Sequence, residues 1–218
     1  MQRVVVTDYG MGNLHSVAKA LARVAPDAEI RVSSDPGLIA SADRVVFPGV
    51  GAIRDCMSGL SSRGLIEPLR RAAGEKPLLA ICLGMQALLD SSEENGGTPC
   101  LGILPGRVLG FAPTLHDAQG GRLKIPHMGW NGVHQRPHPL WRGIAQDARF
   151  YFVHSYHVEA ESADLVVGSC TYGKDFAAAL AHENVFAVQF HPEKSDAAGL
   201  RLLANFIAWD GRTEENAC

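Results

Sequence analysis

A cysteine placed where an apolar strand breaks into a glycine-containing turn is a candidate nucleophile, and Pro77-Leu78-Leu79-Ala80-Ile81 runs directly into Cys82-Leu83-Gly84-Met85-Gln86. A tight strand-to-helix turn lifts one side chain above the edge of a sheet, at a helix N-terminus. The unpaired N–H groups and the dipole there favour an anion, so a thiol in that place is disposed toward thiolate. A small buried cysteine that merely fills space reads the same way locally, so the chemistry needs partners. Cys56, Cys100, Cys170 and Cys218 have no comparable surroundings.

His191 is the first partner. It closes the apolar run 185–190 and is followed by Pro192, which stops the chain from continuing in a sheet. Parallel strands end at one edge, where ligands collect, so His191 and Cys82 are expected to meet there as base and nucleophile. Glu193, two residues on, is placed to accept a hydrogen bond from the imidazole, fix its tautomer and stabilise the imidazolium. His134 and His138, in proline-rich stretches, and His116 beside Asp117 read as solvated loop residues. Pro48-Gly49-Val50-Gly51 also follows a strand. Its glycines let backbone N–H groups approach an oxyanion, although on its own it reads as an ordinary turn. Gly10 and Gly12 match only the opening of a dinucleotide fingerprint, so a Rossmann site is not expected.

The elements that must position these residues are legible as well. Residues 3–8 form a buried, β-branched strand, followed by a glycine-rich turn and a helix over 13–24 with Leu14, Val17, Ala18 and Leu21 on one stripe. Strands follow at 29–32 and 44–47, then a weaker helical pattern over 54–71 interrupted by Gly59, Gly64 and Pro68. After the 77–81 strand and its turn, a helix continues over 87–90. Residues 104–168 read as shorter strands extending the same sheet, and buried strands return at 177–182 and 185–190. A last helix, 196–209, is expected to be capped by Ser195 and to turn Leu200, Leu203, Ala204 and Ile207 inward. Strand and helix alternation predicts an α/β fold, a mostly parallel central sheet with helices on both faces and an antiparallel extension. The expected organisation is one domain over 1–218, with 211–218 a frayed polar tail.

Composition removes several function classes. A net charge of -3 and the lack of any basic stripe argue against nucleic acid. No apolar run approaches the ~20 residues needed to span a bilayer, and Met1 leads straight into a strand, so a soluble, cytoplasmic protein without membrane partners is expected. Five cysteines, an odd number without a C-x-x-C pair, argue against a disulfide framework and a zinc site. No metal or cofactor is expected.

Pro48-Gly49-Val50-Gly51, Ile81-Cys82-Leu83-Gly84-Met85-Gln86 and Phe190-His191-Pro192-Glu193-Lys194-Ser195, in that order and at that separation, resemble the class I (triad) glutamine amidotransferases. Asp8-Tyr9-Gly10-Met11-Gly12-Asn13-Leu14, Leu123-Lys124-Ile125-Pro126-His127-Met128-Gly129-Trp130-Asn131 and Tyr151-Phe152-Val153-His154-Ser155-Tyr156 are similar to one branch of that family. It comprises the glutaminase subunits serving imidazole glycerol phosphate synthase, in histidine biosynthesis. The likeness runs over about 4–209, with no departure at the triad positions.

The resemblance implies a flavodoxin-like three-layer fold and attack of a Cys82 thiolate on L-glutamine, with His191 and Glu193 completing the triad. It implies an oxyanion held by Leu83 N–H and an N–H from Gly49, Val50 or Gly51, the Val50 peptide being a plausible moving part. Gln86, Glu94 and the backbone around Ser155 and Tyr156 would position glutamine. Asn13, Trp130, Tyr151 and Lys194 would lie toward a (β/α)8-barrel cyclase subunit, joined as a heterodimer; Trp130 and Tyr151 are also readable as packing and Lys194 as a solvated charge, with the interface role favoured for Trp130. A glutaminase subunit that hydrolysed glutamine freely by itself would waste ammonia, so low activity alone and stimulation by the loaded partner are expected. A glutaminase of anthranilate, guanylate or pyridoxal phosphate synthesis and a non-catalytic subunit of the same fold remain alternatives.

Overall fold

The computed structural model describes residues 1–212, so Cys218 and most of the expected polar tail lie outside the described residues. Within them, β1 (Arg3–Thr7) leads into α1 (Leu14–Val24), β2 (Glu29–Ser33), α2 (Pro36–Ser41) and β3 (Arg44–Gly49). Helices α3 (Ile53–Ser62) and α4 (Ile66–Glu75) precede β4 (Leu78–Cys82) and the short α5 (Leu83–Ala87). Short β5 (Ser91–Ser92) and β6 (Thr98–Pro99) are followed by β7 (Gly106–Gly110), β8 (His127–Gly132), β9 (His134–Gln135) and β10 (Arg149–His154). Then come β11 (Tyr156–Ala160), β12 (Val166–Thr171), β13 (Asp175–His182), β14 (Val185–Val188) and α6 (Asp196–Ala208).

β2, β1, β3, β4 and β14 lie side by side in parallel. β13, β11 and β7 carry the same sheet on, beginning with the antiparallel β13–β14 pair. Because parallel strands are covered on both faces, they read as continuous apolar runs. The alternation of side chains sorts those runs into two cores. Val4 and Val6 join Leu21 of α1 and Leu202, Leu203 and Phe206 of α6 on one face. Val5 joins Ile39 of α2, Leu60 of α3 and Leu69 of α4 on the other. Each fully buried side chain of this kind contributes roughly 1.5–3 kcal/mol, and together they hold the carboxyl ends of β3, β4 and β14 at one edge.

Several local expectations change. The helical stretch over 54–71 is two helices, divided at Gly64, whose φ of +66 suits glycine; Pro68 lies in the first turn of α4, where its missing N–H costs nothing. α2 was not foreseen; Asp35 caps it by accepting from Gly37 N–H at 2.8 Å, with Pro36 opening the helix. The helix after Cys82 occupies Leu83–Ala87 and stops, instead of running to Asp90. Part of 104–168 leaves the main sheet, since β8 and β10 pair only with each other. α6 buries Gly199, Leu202, Leu203 and Phe206, a stripe rotated from the expected one that leaves Leu200, Ala204 and Ile207 half-buried. Ser195 does not cap α6; its hydroxyl donates to His191 O at 2.6 Å and accepts from Tyr151 N–H at 3.0 Å. The packed chain extends past 210: Gly211 is buried, and Trp209 Nε1 donates to Arg212 O at 2.7 Å.

Candidate active site

Cys82 ends β4 and stands directly before α5, with φ 55 and ψ -109. A positive φ on a side chain with a Cβ is a strained conformation that persists only where surrounding structure imposes it. The imposing contacts are visible. A Cβ on Gly84 would lie 2.0 Å from Phe47 O, and one on Gly49 would lie 2.8 Å from Leu83 Cβ and 2.7 Å from the Tyr9 hydroxyl. Two glycines thus let β3 run against the turn, with Gly49 in register beside Cys82. This brings the Gly49, Val50 and Gly51 backbone to the same edge as Leu83 N–H. As α5 has only five residues, the anion-favouring groups there are local N–H donors more than an accumulated dipole.

His191 reaches that edge from the end of β14. Its N–H donates to Tyr151 O at 2.9 Å, and Pro192 opens a one-turn 3-10 helix, Pro192–Lys194. That turn carries Glu193 back under the ring, where Oε1 lies 2.8 Å from His191 Nδ1 with both side chains buried. With Nδ1–H donating to the carboxylate, Nε2 is the atom left to exchange protons, and among the described residues it has no hydrogen-bond partner. Burial lowers the imidazole, but Cys82 and Glu193 beside it outweigh burial and hold it above the usual histidine range. The arrangement therefore favours the imidazolium form of His191 beside the Cys82 sulfur.

The cavity over Cys82 has a volume of about 310 Å³ and is walled by Val50, Gly51, Leu83, Gln86, Glu94, Val153, His154, Ser155, Tyr156 and His191. Gln86, Glu94, Ser155 and Tyr156 all line this cavity, and two of them also hold protein groups. Gln86 donates from Nε2 to Tyr156 O and to Gln189 Oε1, both at 3.0 Å. Glu94 accepts from Ile53 N–H at 2.8 Å, anchoring the start of α3. Gln189 was missed; fully buried, it directs Nε2 to Cys82 Sγ at 3.7 Å. Its signal was a single amide in the otherwise apolar approach to His191.

Of the four residues expected to face a partner, Trp130, Tyr151 and Lys194 form one cluster. Trp130 and Tyr151 pair across the β8–β10 ribbon, edge to face at 6.2 Å, and Lys194 Nζ lies 5.8 Å over the Tyr151 ring. Met128 and Trp130 are exposed on this ribbon. Asn13 instead turns inward, donating to Glu193 Oε1 at 3.4 Å. Among the other cysteines, burial pushes the Cys56 and Cys170 thiols up to about 12 and Cys100 up to about 11, so they stay protonated and inert. His134 is exposed against Asp147 and His116 is exposed. His138 is not a solvated loop residue, because its ring packs on Phe186 and Trp209.

Among the described residues, no group of three or more His, Cys, Asp or Glu side chains is arranged to hold a metal ion. No helix among them is long and apolar enough to cross a membrane.

A family model described as glutamine amidotransferase class-I matches residues 5–209. The imidazole glycerol phosphate synthase subunit HisH of Methylococcus capsulatus is 61% identical over 213 residues, covering 96% of this chain and 98% of that protein. HisH 1 of Pseudomonas aeruginosa is 59% identical, covering 97% and 99%. Among solved structures, PurLQS from Thermotoga maritima superposes with a TM-score of 0.72 over 95% of this chain and 98% of that one, at 17% identity. A putative GMP synthase subunit from Thermoplasma acidophilum gives 0.67 at 19% identity, covering 95% and 93%. At such identities these structures speak for the fold alone.

Proposed function

The chain belongs to the class I glutamine amidotransferases, and from that premise we propose that it is the glutaminase subunit of an imidazole glycerol phosphate synthase, in histidine biosynthesis, with Cys82 as its nucleophile. The observation that carries the chemistry is the buried Glu193–His191 pair at the cavity that also holds a strained Cys82. Relatives about 60% identical over nearly their whole length support the pathway.

The Cys82 thiolate attacks the carboxamide carbon of L-glutamine. The carbonyl π electrons move to oxygen, and the oxyanion is held by Leu83 N–H and a backbone N–H of Gly49, Val50 or Gly51. Collapse breaks the C–N bond as the His191 imidazolium gives its proton to nitrogen, and ammonia leaves. Neutral His191 then takes a proton from water, whose hydroxide attacks the glutamyl thioester; glutamate departs and the thiolate returns. Glu193 holds the ring at Nδ1 and stabilises the imidazolium in both halves. Gln86 acts at one remove, holding Tyr156 and Gln189, while Glu94 and the Ser155–Tyr156 backbone line the substrate's seat.

Ammonia passes to a (β/α)8-barrel cyclase, bound as a heterodimer through the Trp130, Tyr151 and Lys194 cluster, which consumes it in making imidazole glycerol phosphate and an aminoimidazole carboxamide ribotide. The whole chain, 1–218, acts as a single domain. A cytoplasmic setting belongs to the same reading, since all four described cysteines are free and free thiols persist in reducing compartments. The test is Cys82→Ala in the assembled complex: glutamine-dependent synthesis should disappear and ammonia-dependent synthesis should persist. Retained glutamine turnover would overturn the assignment of Cys82.

A further inference from the structure

On the β8–β10 ribbon, His127 and His154 face each other in register and are buried. His127 Nδ1 lies 2.9 Å from His154 Nε2, and His154 Nδ1 lies 2.8 Å from Tyr156 O. At the far end, Asn131 Nδ2 is 3.4 Å from His127 Nε2 and donates to Thr171 O at 2.9 Å. The polarity of this chain follows from both ends. A carbonyl only accepts, so His154 carries its proton on Nδ1 and accepts on Nε2. His127 must then donate from Nδ1 and accept on Nε2. Asn131 agrees, because its Oδ1 already accepts from Gly132 N–H at 2.9 Å, leaving Nδ2 to donate. Aromatic rings enclose the pair: His127 stacks with Tyr172 at 4.0 Å and Phe152 at 4.9 Å, and His154 meets Phe111 and Phe176.

Tyr156 O, where the chain ends, also accepts from Gln86 Nε2 at 3.0 Å, and Ser155 O accepts from Phe111 N–H at 3.1 Å. Both carbonyls of the Ser155–Tyr156 segment are therefore tied down on the wall of the Cys82 cavity. We propose that His127 and His154 are positioning residues for glutamine, their one-directional hydrogen-bond chain from Asn131 holding the Ser155–Tyr156 backbone in its substrate-receiving orientation. The role rests on the glutaminase reading above. It ties the substrate wall to the strand that presents Met128 and Trp130 at the surface.

The test uses the full chain with its barrel partner. His127→Leu should raise KM for glutamine roughly tenfold, the weight of one lost hydrogen bond, with kcat changed less than about twofold. His127→Asn, whose amide N–H can stand in for Nδ1–H, should bring KM back to within roughly twofold of the parent. Nitrogen-15 NMR of histidine-labelled parent chain should find both rings as Nδ1–H tautomers. An unmoved KM in folded His127→Leu, or an Nε2–H tautomer on either ring, would overturn the proposal while leaving glutamine hydrolysis by the parent intact. If His127→Leu does not fold, Asn131→Leu at the outer end replaces it, with a raised KM expected and an unmoved KM counting against the chain. A parent complex that hydrolyses no glutamine would remove the glutaminase reading itself, and this role with it.

Discussion

Glu193 Oε1 sits 2.8 Å from His191 Nδ1, with 0% of the Glu193 side chain exposed and 2% of that of His191. A carboxylate so buried beside an imidazole is tolerable only if the pair shares charge, which leaves Nε2 as the ring nitrogen without a hydrogen-bond partner among the described residues. Glu193→Gln keeps the shape and removes the charge. Its kcat for glutamine hydrolysis should fall by a factor on the order of 10²–10⁴ with KM nearly unchanged, because the imidazolium of the transition state loses its counter-charge. Steady-state kinetics of the complex checks this.

Thiol selectivity follows from burial. Cys56, Cys100 and Cys170 are held as thiols well above neutrality, so a glutamine-analogue electrophile at pH 7–8 should modify Cys82 and none of these three. Peptide mass spectrometry reads the site; stoichiometric labelling of Cys56 or Cys170 in the folded chain would contradict it.

The elbow depends on the absence of a side chain at Gly84. In Gly84→Ala the new methyl would meet Phe47 O at 2.0 Å, so β3 or the turn must shift. A loss of about 1–3 kcal/mol in stability is expected, together with near-complete loss of glutaminase activity. Denaturant unfolding and glutamine turnover, measured on the same preparation, test the two parts.

Acid should destabilise the protein through its buried histidines. Burial pushes His127 down to about 4 and His154 to about 3, whereas the unfolded chain titrates its histidines near 6.5. Between those values the unfolded state binds more protons than the folded one, so stability rises with pH and is lost on acidification from about pH 6.5 toward 4. His191 works the other way: its raised affinity stabilises below its unfolded value, and that contribution is lost as pH rises through the raised folded value. Thermal midpoints across pH 4–7 should show the acid slope, and His127→Asn should flatten it.

The exposed ribbon should carry partner affinity. Trp130, 39% exposed and braced by Tyr151, has the character of an interface anchor. Trp130→Ala should weaken the complex by about 2 kcal/mol, roughly thirtyfold in Kd, as titration calorimetry would register.

What the sequence determined by itself is local and directional. Continuous β-branched and apolar runs identify strands buried on both faces, and three of these, ending in Gly49, Cys82 and the approach to His191, deliver the reactive groups to one edge. The motif blocks around Cys82 and His191 need only short-range order to be read, since a turn residue or a neighbouring carboxylate acts within a few positions. The tertiary structure decided which side chains meet when their partners are distant in the chain. Gln189 touches Cys82 across 107 positions, and Asn13 reaches Glu193 across 180. Ser195 joins His191 to Tyr151 and does not cap its helix. The pairing of His127 with His154 depends on the register of a ribbon that leaves the main sheet. Hydrogen-bond direction and desolvation are set by what surrounds a group in space, and so the type of each residue was legible in the sequence while its partner emerged only in the fold.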